Sequence, residues 1–381
     1  MWVRPSLTKG RMRNRSLKNR LGYIFNVGDI QTLLGFCVLM FTISLARLSL
    51  GVVLLCSLFL ALGISSSVHY AAVIAKRIGP SLGTLVLALS VTVIEVALIV
   101  SLMSTNPNTA GGIARDTVFA AIMIGTNGIA GISILLGGFR HKELGFQPLG
   151  TSSLMAALVS LSMITMVLPN YTSSTLGPTY NNSQLIFVSI ASLIIYILLV
   201  WAQTKSHKNY FEPLSPATYK KLLESQFIPS RSKAIWSFFG LLISLGVVVG
   251  LAKVLSPSLG TLVNHLGAPP SVVGILMALL VLAPETFASL KAAKANQLQT
   301  SLNLALGSGA ASVALTIPTV SAYSIFTEQP LLLGLDQKST VFLALTFIAG
   351  NYTFGSGRTT TLHGAVHLII LMSYLVMSFI P

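Results

Sequence analysis

Apolar runs long enough to cross a bilayer alternate with short polar stretches along most of the chain. A membrane helix needs about 20 mainly apolar residues. Eleven such runs are legible: 28–46, 50–74, 81–103, 117–138, 148–168, 184–203, 235–255, 271–292, 299–322, 339–354 and 361–380. The pattern predicts an all-α membrane protein of about 11 transmembrane helices. The start of the chain is polar and basic, unlike a cleavable signal peptide.

Composition supports this fold class. The 381 residues are 53% hydrophobic and only 9% charged, whereas a soluble domain carries roughly 25% charged residues; a water-soluble enzyme is therefore not expected. The two cysteines, Cys37 and Cys56, lie in apolar runs and form neither a disulfide framework nor a CxxC metal site.

The charge is lopsided, with 24 Lys and Arg against 9 Asp and Glu, a formal +15. In a soluble protein that excess would suggest nucleic-acid binding. Mapped onto the runs, it becomes an orientation signal instead. The N-terminal tail and the loops after the second, fourth, sixth, eighth and tenth runs hold twenty of the 24 basic residues, and the opposite loops hold only Arg47, Arg115, Lys253 and Lys338. Basic residues accumulate on the cytoplasmic side. The expectation is an integral multi-pass protein of a bacterial inner (plasma) membrane, N-terminus cytoplasmic and C-terminus outside, whose partners are lipid and small ions, with no nucleic acid. The stretch 204–234, with Pro213, Pro216 and Pro229, reads as a cytoplasmic linker.

Two acids interrupt the apolar runs. Glu95 lies in SVTVIEVALIVSLM and Glu285 in LLVLAPETFASL, while the other seven acids fall at run ends or in loops. A charge at bilayer depth costs about 2.5–3.5 kcal/mol on insertion scales, so two retained glutamates call for a role. They occupy matching places. Glu95 follows Gly83 by twelve residues, Glu285 follows Gly274 by eleven, and each run is succeeded by one with a small-residue cluster, in which Gly125-Thr126 aligns with Gly307-Ser308. On the topology above, the two glutamate runs cross in opposite directions. The predicted organisation is a basic tail (1–27), an extra helix (28–47), a five-helix repeat (48–203), the linker (204–234) and a second, inverted five-helix repeat (235–381). Inverted repeats with a site at their interface are characteristic of secondary transporters.

Possible supporting groups lie nearby. Pro284 has no amide hydrogen, which frees the carbonyl of Leu280, and a free carbonyl beside a carboxylate is a ready ligand for a hard cation. Thr92 and Ser289 share helical faces with Glu95 and Glu285. Thr126, Asn127, Ser301, Asn303 and Ser308 add hydroxyl and amide oxygens, and Gly125, Gly128, Gly307 and Gly309 suit close helix packing. His363 and His367 share a face at i, i+4 but have no third ligand beside them, so packing or pH tuning is expected of them.

The stretch 283–318, APETFASLKAAKANQLQTSLNLALGSGAASVALTIP, and the stretch SVTVIEVALIVSLM ending at Met103 resemble the two repeats of the calcium/cation antiporter superfamily. The likeness is to its cation/proton exchangers, and closest to the bacterial calcium(sodium)/proton antiporter branch. The resemblance implies an eleven-helix antiporter that exports Ca2+, Na+ or K+ against protons, with Glu95 and Glu285 binding cation and proton in turn and with no resident cofactor. Vacuolar members carry Gly-Asn before each glutamate and an acidic linker; here Ile94 and Pro284 precede the glutamates and the linker is basic. Competing readings are a monovalent-selective proton antiporter without calcium transport, a passive cation channel, and an intramembrane enzyme. The enzyme is disfavoured because HExxH is absent and no apolar run has an Asp in its interior.

Overall fold

The computed structural model describes residues 27–43, 49–78, 80–105, 110–213, 228–265, 269 and 271–380. The basic tail up to residue 26, Arg47, and the linker residues 214–227 with Pro216, Lys220 and Lys221 lie outside the described residues. Twelve α-helices form among the described residues: α1 (Val27–Ile43), α2 (Leu50–Ile78), α3 (Pro80–Thr105), α4 (Ala110–Met123), α5 (Ala130–His141), α6 (Pro148–Ser162), α7 (Asn182–Trp201), α8 (Arg231–His265), α9 (Ser271–Lys294), α10 (Leu298–Thr327), α11 (Gln337–Phe354) and α12 (Thr361–Phe379). A π-helical turn, Ile124–Ile129, joins α4 and α5 into one rod.

Seven of these rods are long and apolar enough to cross a membrane by themselves. A bend of 53° divides α9 into Ser271–Ala283 and Glu285–Lys294, and α9 makes an eighth span if the two pieces count as one. By length and composition, seven or eight of the eleven spans expected from the sequence are thus met among the described residues. The apolar parts of α1 and α3 are short, Val27–Thr42 and Ser90–Ser104, and α11 is diluted by Gln337, Lys338 and Asn351.

Local chemistry fixes the helix ends. Asn181 and Gln184 cap the start of α7 reciprocally (2.8 and 3.0 Å), a capping box. The Asp336 carboxylate accepts from the Ser339 amide (2.8 Å) at the start of α11, and Pro148 takes the first position of α6, where its missing N–H costs nothing.

The connections make two small strand-like contacts. The strands β1 (Glu143–Gly145), between α5 and α6, and β2 (Arg358–Thr360), between α11 and α12, pair antiparallel with Leu144 opposite Thr359. Beyond the other end of the α4–α5 rod, Thr179 in the α6–α7 connection bridges Leu332 in the α10–α11 connection, and the Leu332 amide donates to Gly111 O at 2.9 Å.

Helix α10 is the centre of the bundle and packs against α3, α4, α6, α7 and α9, while α8 covers α2 and α3. The main core runs through Ile99, Phe119, Leu158, Leu302 and Val313; a second, with Cys56, Ile64, Ile94, Leu98 and Leu251, joins α1, α2, α3 and α8. Outward faces are also apolar: Phe187, Ile197 and Trp201 on α7 and Trp236, Phe239 and Ile243 on α8 are exposed. Apolar surface of this extent suits lipid rather than water.

Small residues set the closest approaches. A Cβ on Gly364 of α12 would lie 2.6 Å from Leu135 N, and one on Gly131 of α5 would lie 3.1 Å from the His367 Cβ. Gly364→Ala is therefore expected to cost about 1–3 kcal/mol by overpacking, lowering the midpoint of thermal unfolding in detergent. Gly246→Ala, where a Cβ meets nothing within 4 Å, is expected to leave the midpoint unchanged or to raise it.

Candidate functional site: a pair of buried carboxylates

Glu95 projects from α3 and Glu285 from α9, just past the bend in that helix, and both are almost wholly buried (4% and 6% exposed). The helices that carry them, α3 and α9, pack against each other. The salt bridges among the described residues, Arg115–Asp116 and Arg358–Glu143, involve neither. The two differ in how they are satisfied. Ser312 Oγ of α10 donates to Glu95 Oε1 at 2.5 Å, whereas Glu285 Oε2 is buried with no hydrogen-bond partner among the described residues.

A knot of hydroxyls lies four residues further along α9. Ser289 Oγ is 2.6 Å from Ser301 Oγ of α10 and 3.0 Å from Ser133 Oγ of α5, and it also donates to Ser301 O at 3.2 Å. All three serines are fully buried. Ser289 and Ser301, expected as supporting groups, thus come together, and the structure adds Ser133.

The other expected residues separate. Thr92 is buried on α3, and Thr126 and Asn127 are buried within the π-turn. Asn127 faces away from α9: its Nδ2 donates to Thr346 Oγ1 of α11 at 2.8 Å, and its Oδ1 lies 2.8 Å from His367 Nδ1 of α12. Asn303 is committed elsewhere, donating to Phe211 O at 2.6 Å and accepting from Gln299 Nε2 at 2.8 Å. Ser308 donates to Ala305 O of its own helix at 3.2 Å. The side chain of Leu280 packs, partly buried, against the second core.

Among the glycines, Gly125 permits a close approach, since a Cβ there would lie 2.9 Å from Ala305 O, and Gly128 sits against Leu371 (3.0 Å). Gly309 makes only ordinary contact with Leu158 (3.7 Å). Gly307 corrects the expectation of helix packing: a Cβ there would meet nothing within 4 Å, because this side of α10 faces no neighbouring helix closely.

Ser312 was within reach of the sequence, lying four residues beyond Ser308 in the small-residue cluster and so on the same helical face. Ser133 carries no such signal. The donors gathered here are carboxylates and hydroxyls, hard oxygen ligands that suit calcium and alkali cations better than softer metals. Among the described residues no group of three or more His, Cys, Asp or Glu assembles.

An all-helical bundle with an apolar exterior and two buried carboxylates is a membrane protein with candidate ion-binding groups in its interior. More specifically, the chain belongs to the sodium/calcium exchanger protein family, which matches residues 48–205 and 236–380. It is 40% identical to the putative ionic transporter y4hA of Sinorhizobium fredii (strain NBRC 101917 / NGR234) over 321 residues, 83% of this chain and 85% of the relative. It is 33% identical to the sodium-potassium/proton antiporter ChaA of Escherichia coli (strain K12) over 335 residues, 87% of this chain and 90% of the relative. The solved structure of native YfkE has the same fold, with a TM-score of 0.70 at 16% identity over 93% of this chain and 100% of that one. The H+/Ca2+ exchanger CAX does too, with a TM-score of 0.63 at 14% identity over 92% and 93%.

Removing the Ser312 donor to Glu95 isolates its contribution. Ser312→Ala is expected to cost about 1–3 kcal/mol, because it strands a buried acceptor, and Ser312→Thr, which keeps the hydroxyl, to cost less. Thermal unfolding of the two purified variants checks the order.

Proposed function

We propose that the protein is a secondary active antiporter that exports Ca2+, and/or Na+ or K+, in exchange for protons, with Glu95 and Glu285 as the shared cation and proton site. The observation that carries the proposal is two buried carboxylates on helices that pack against each other, α3 and α9, neither of them in a salt bridge among the described residues. Such a pair needs positive charge, and protons or a cation can supply it in turn. One divalent ion neutralises both groups; a monovalent ion neutralises one and leaves the other for a proton or a second ion. Exchange is obligatory if only the loaded or protonated pair switches between inward- and outward-facing states. No covalent step is assigned to any residue, and the ions are cargo rather than a resident cofactor.

The inverted-repeat reading gains support from two sources. The family matches two separate stretches, 48–205 and 236–380. The pairings also interchange when the halves are exchanged: β1 with β2 corresponds to Leu332 with Thr179 at the opposite end of the α4–α5 rod, and α12 packs on α4–α5 as α7 packs on α10. The basic-residue distribution supports an N-terminus in the cytoplasm and a C-terminus outside, and the likeness to bacterial relatives supports an inner membrane.

A second reading, a proton antiporter selective for Na+ and K+ without calcium transport, is favoured by the likeness to ChaA of Escherichia coli, named a sodium-potassium/proton antiporter. One experiment addresses both. In everted vesicles with a pH-sensitive dye, adding the transported cation is expected to dissipate a preset proton gradient. Glu95→Gln and Glu285→Gln are each expected to reduce that response to the level of vesicles lacking the protein. A response to Na+ and K+ but not to Ca2+ selects the second reading, and a full response in either glutamine variant contradicts the shared site. Since protons compete for the site, the half-saturating cation concentration is expected to rise as pH falls.

A further inference from the structure

Behind the carboxylate pair, on the far side of the α4–α5 rod, five buried residues from three rods form a single file of hydrogen bonds. Thr353 and Thr346 come from α11, His367 from α12, and Asn127 and Met123 from the π-turn and the helix leading into it. Thr353, His367, Asn127, Thr346 and Met123 are all 3% exposed or less. His367 Nε2 lies 3.1 Å from Thr353 Oγ1 and its Nδ1 lies 2.8 Å from Asn127 Oδ1. Asn127 Nδ2 donates to Thr346 Oγ1 at 2.8 Å, and Thr346 Oγ1 donates to Met123 Sδ at 3.4 Å.

A thioether can only accept, and with the Thr346 hydroxyl donating to Met123 it accepts from the Asn127 amide nitrogen, itself 3.8 Å from the same sulfur. The Asn127 oxygen then faces the imidazole. In this arrangement His367 carries its hydrogen on Nδ1 and accepts from Thr353 at Nε2. No member is left unsatisfied. The file cannot carry a proton through, because the carboxamide holds its hydrogens and the sulfur passes none on.

We propose that His367 is a positioning residue for transport: by donating from Nδ1 to Asn127 it holds the π-turn Ile124–Ile129 in the shape in which the rod packs against α9 and α10. The inference rests on the reading of Glu95 and Glu285 as the transport site. A π-turn, here with Ala130 N bonded to Gly125 O, is rare and persists only where its surroundings maintain it. On one side this turn meets α10, where Gly125 leaves room for Ala305 O, and α10 carries Ser312, the donor to Glu95. On the other side its one amide side chain is gripped from α11 and α12. Gly131 and Gly364 bring α12 near enough for the imidazole to reach, and the ring stacks on Phe354 with centroids 5.3 Å apart.

Two substitutions separate the hydrogen bond from the bulk of the ring. His367→Asn puts an N–H donor where Nδ1 stands but fills less space; His367→Leu fills the space and donates nothing. If His367 positions Asn127, the leucine variant should show faster amide hydrogen exchange over residues 124–130 and a half-saturating cation concentration raised about fivefold, the factor expected for one neutral hydrogen bond. The asparagine variant should match wild type in both, and Thr346→Val, which breaks the next link, should shift both as leucine does. If leucine matches wild type, or if asparagine is no better than leucine, the imidazole only fills space and the inference is overturned. Exchange of the amides is read on purified protein without any transport. A wild type that moves no protons in response to cations would therefore count against the proposed function, while the exchange data still decide the role of His367.

Discussion

Glu95 and Glu285 are buried inside an apolar bundle, on helices that pack against each other, and the constraint this sets is electrostatic. An unneutralised pair of carboxylates cannot persist at such depth, since burial penalises each charge and proximity adds repulsion. The bundle supplies one hydroxyl, Ser312, to one of them and leaves an oxygen of the other unpartnered among the described residues. On the proposed function, a fixed basic residue would lock the site, and partial satisfaction would leave the remaining charge to a mobile ion.

That requirement explains the packing nearby. Helix α10 reaches Glu95 because it lies at the centre of the bundle, and it can lie there because small residues line its contacts: Gly125 of the π-turn gives way to Ala305 O, and the Ser289 hydroxyl bridges Ser301 of α10 and Ser133 of α5. Close approach in a membrane protein is driven by packing and interhelical hydrogen bonds rather than by the hydrophobic effect. The buried serines and threonines are therefore as structural as the leucines. The bend in α9 at the residue before Glu285 adds a local break in an otherwise regular rod.

Much of this was legible in the sequence, for identifiable reasons. Intramembrane acids stand out against an apolar background, so Glu95 and Glu285 were visible at once, and the rods lie where the apolar runs lie. Partners on other helices were not legible, because spacing along a chain reports only neighbours on the same helix. Asn127 and Asn303 looked alike as amide oxygens, yet one is gripped by His367, 240 positions away, and the other by Phe211 O in the segment after α7. Gly307 looked like a packing glycine beside Ser308 and faces open space instead. His367, read as packing or pH tuning for want of a third metal ligand, has both ring nitrogens engaged in a buried hydrogen-bond file.

The central claim is that cation and proton occupy the same two carboxylates in turn, and proton release on cation binding tests it most directly. In weakly buffered detergent solution, adding Ca2+, Na+ or K+ to the purified protein should lower the pH in step with saturation of the site. The double variant Glu95→Gln with Glu285→Gln should release nothing. Saturable cation binding without proton release in the wild type, or release that persists in the double variant, would contradict the account.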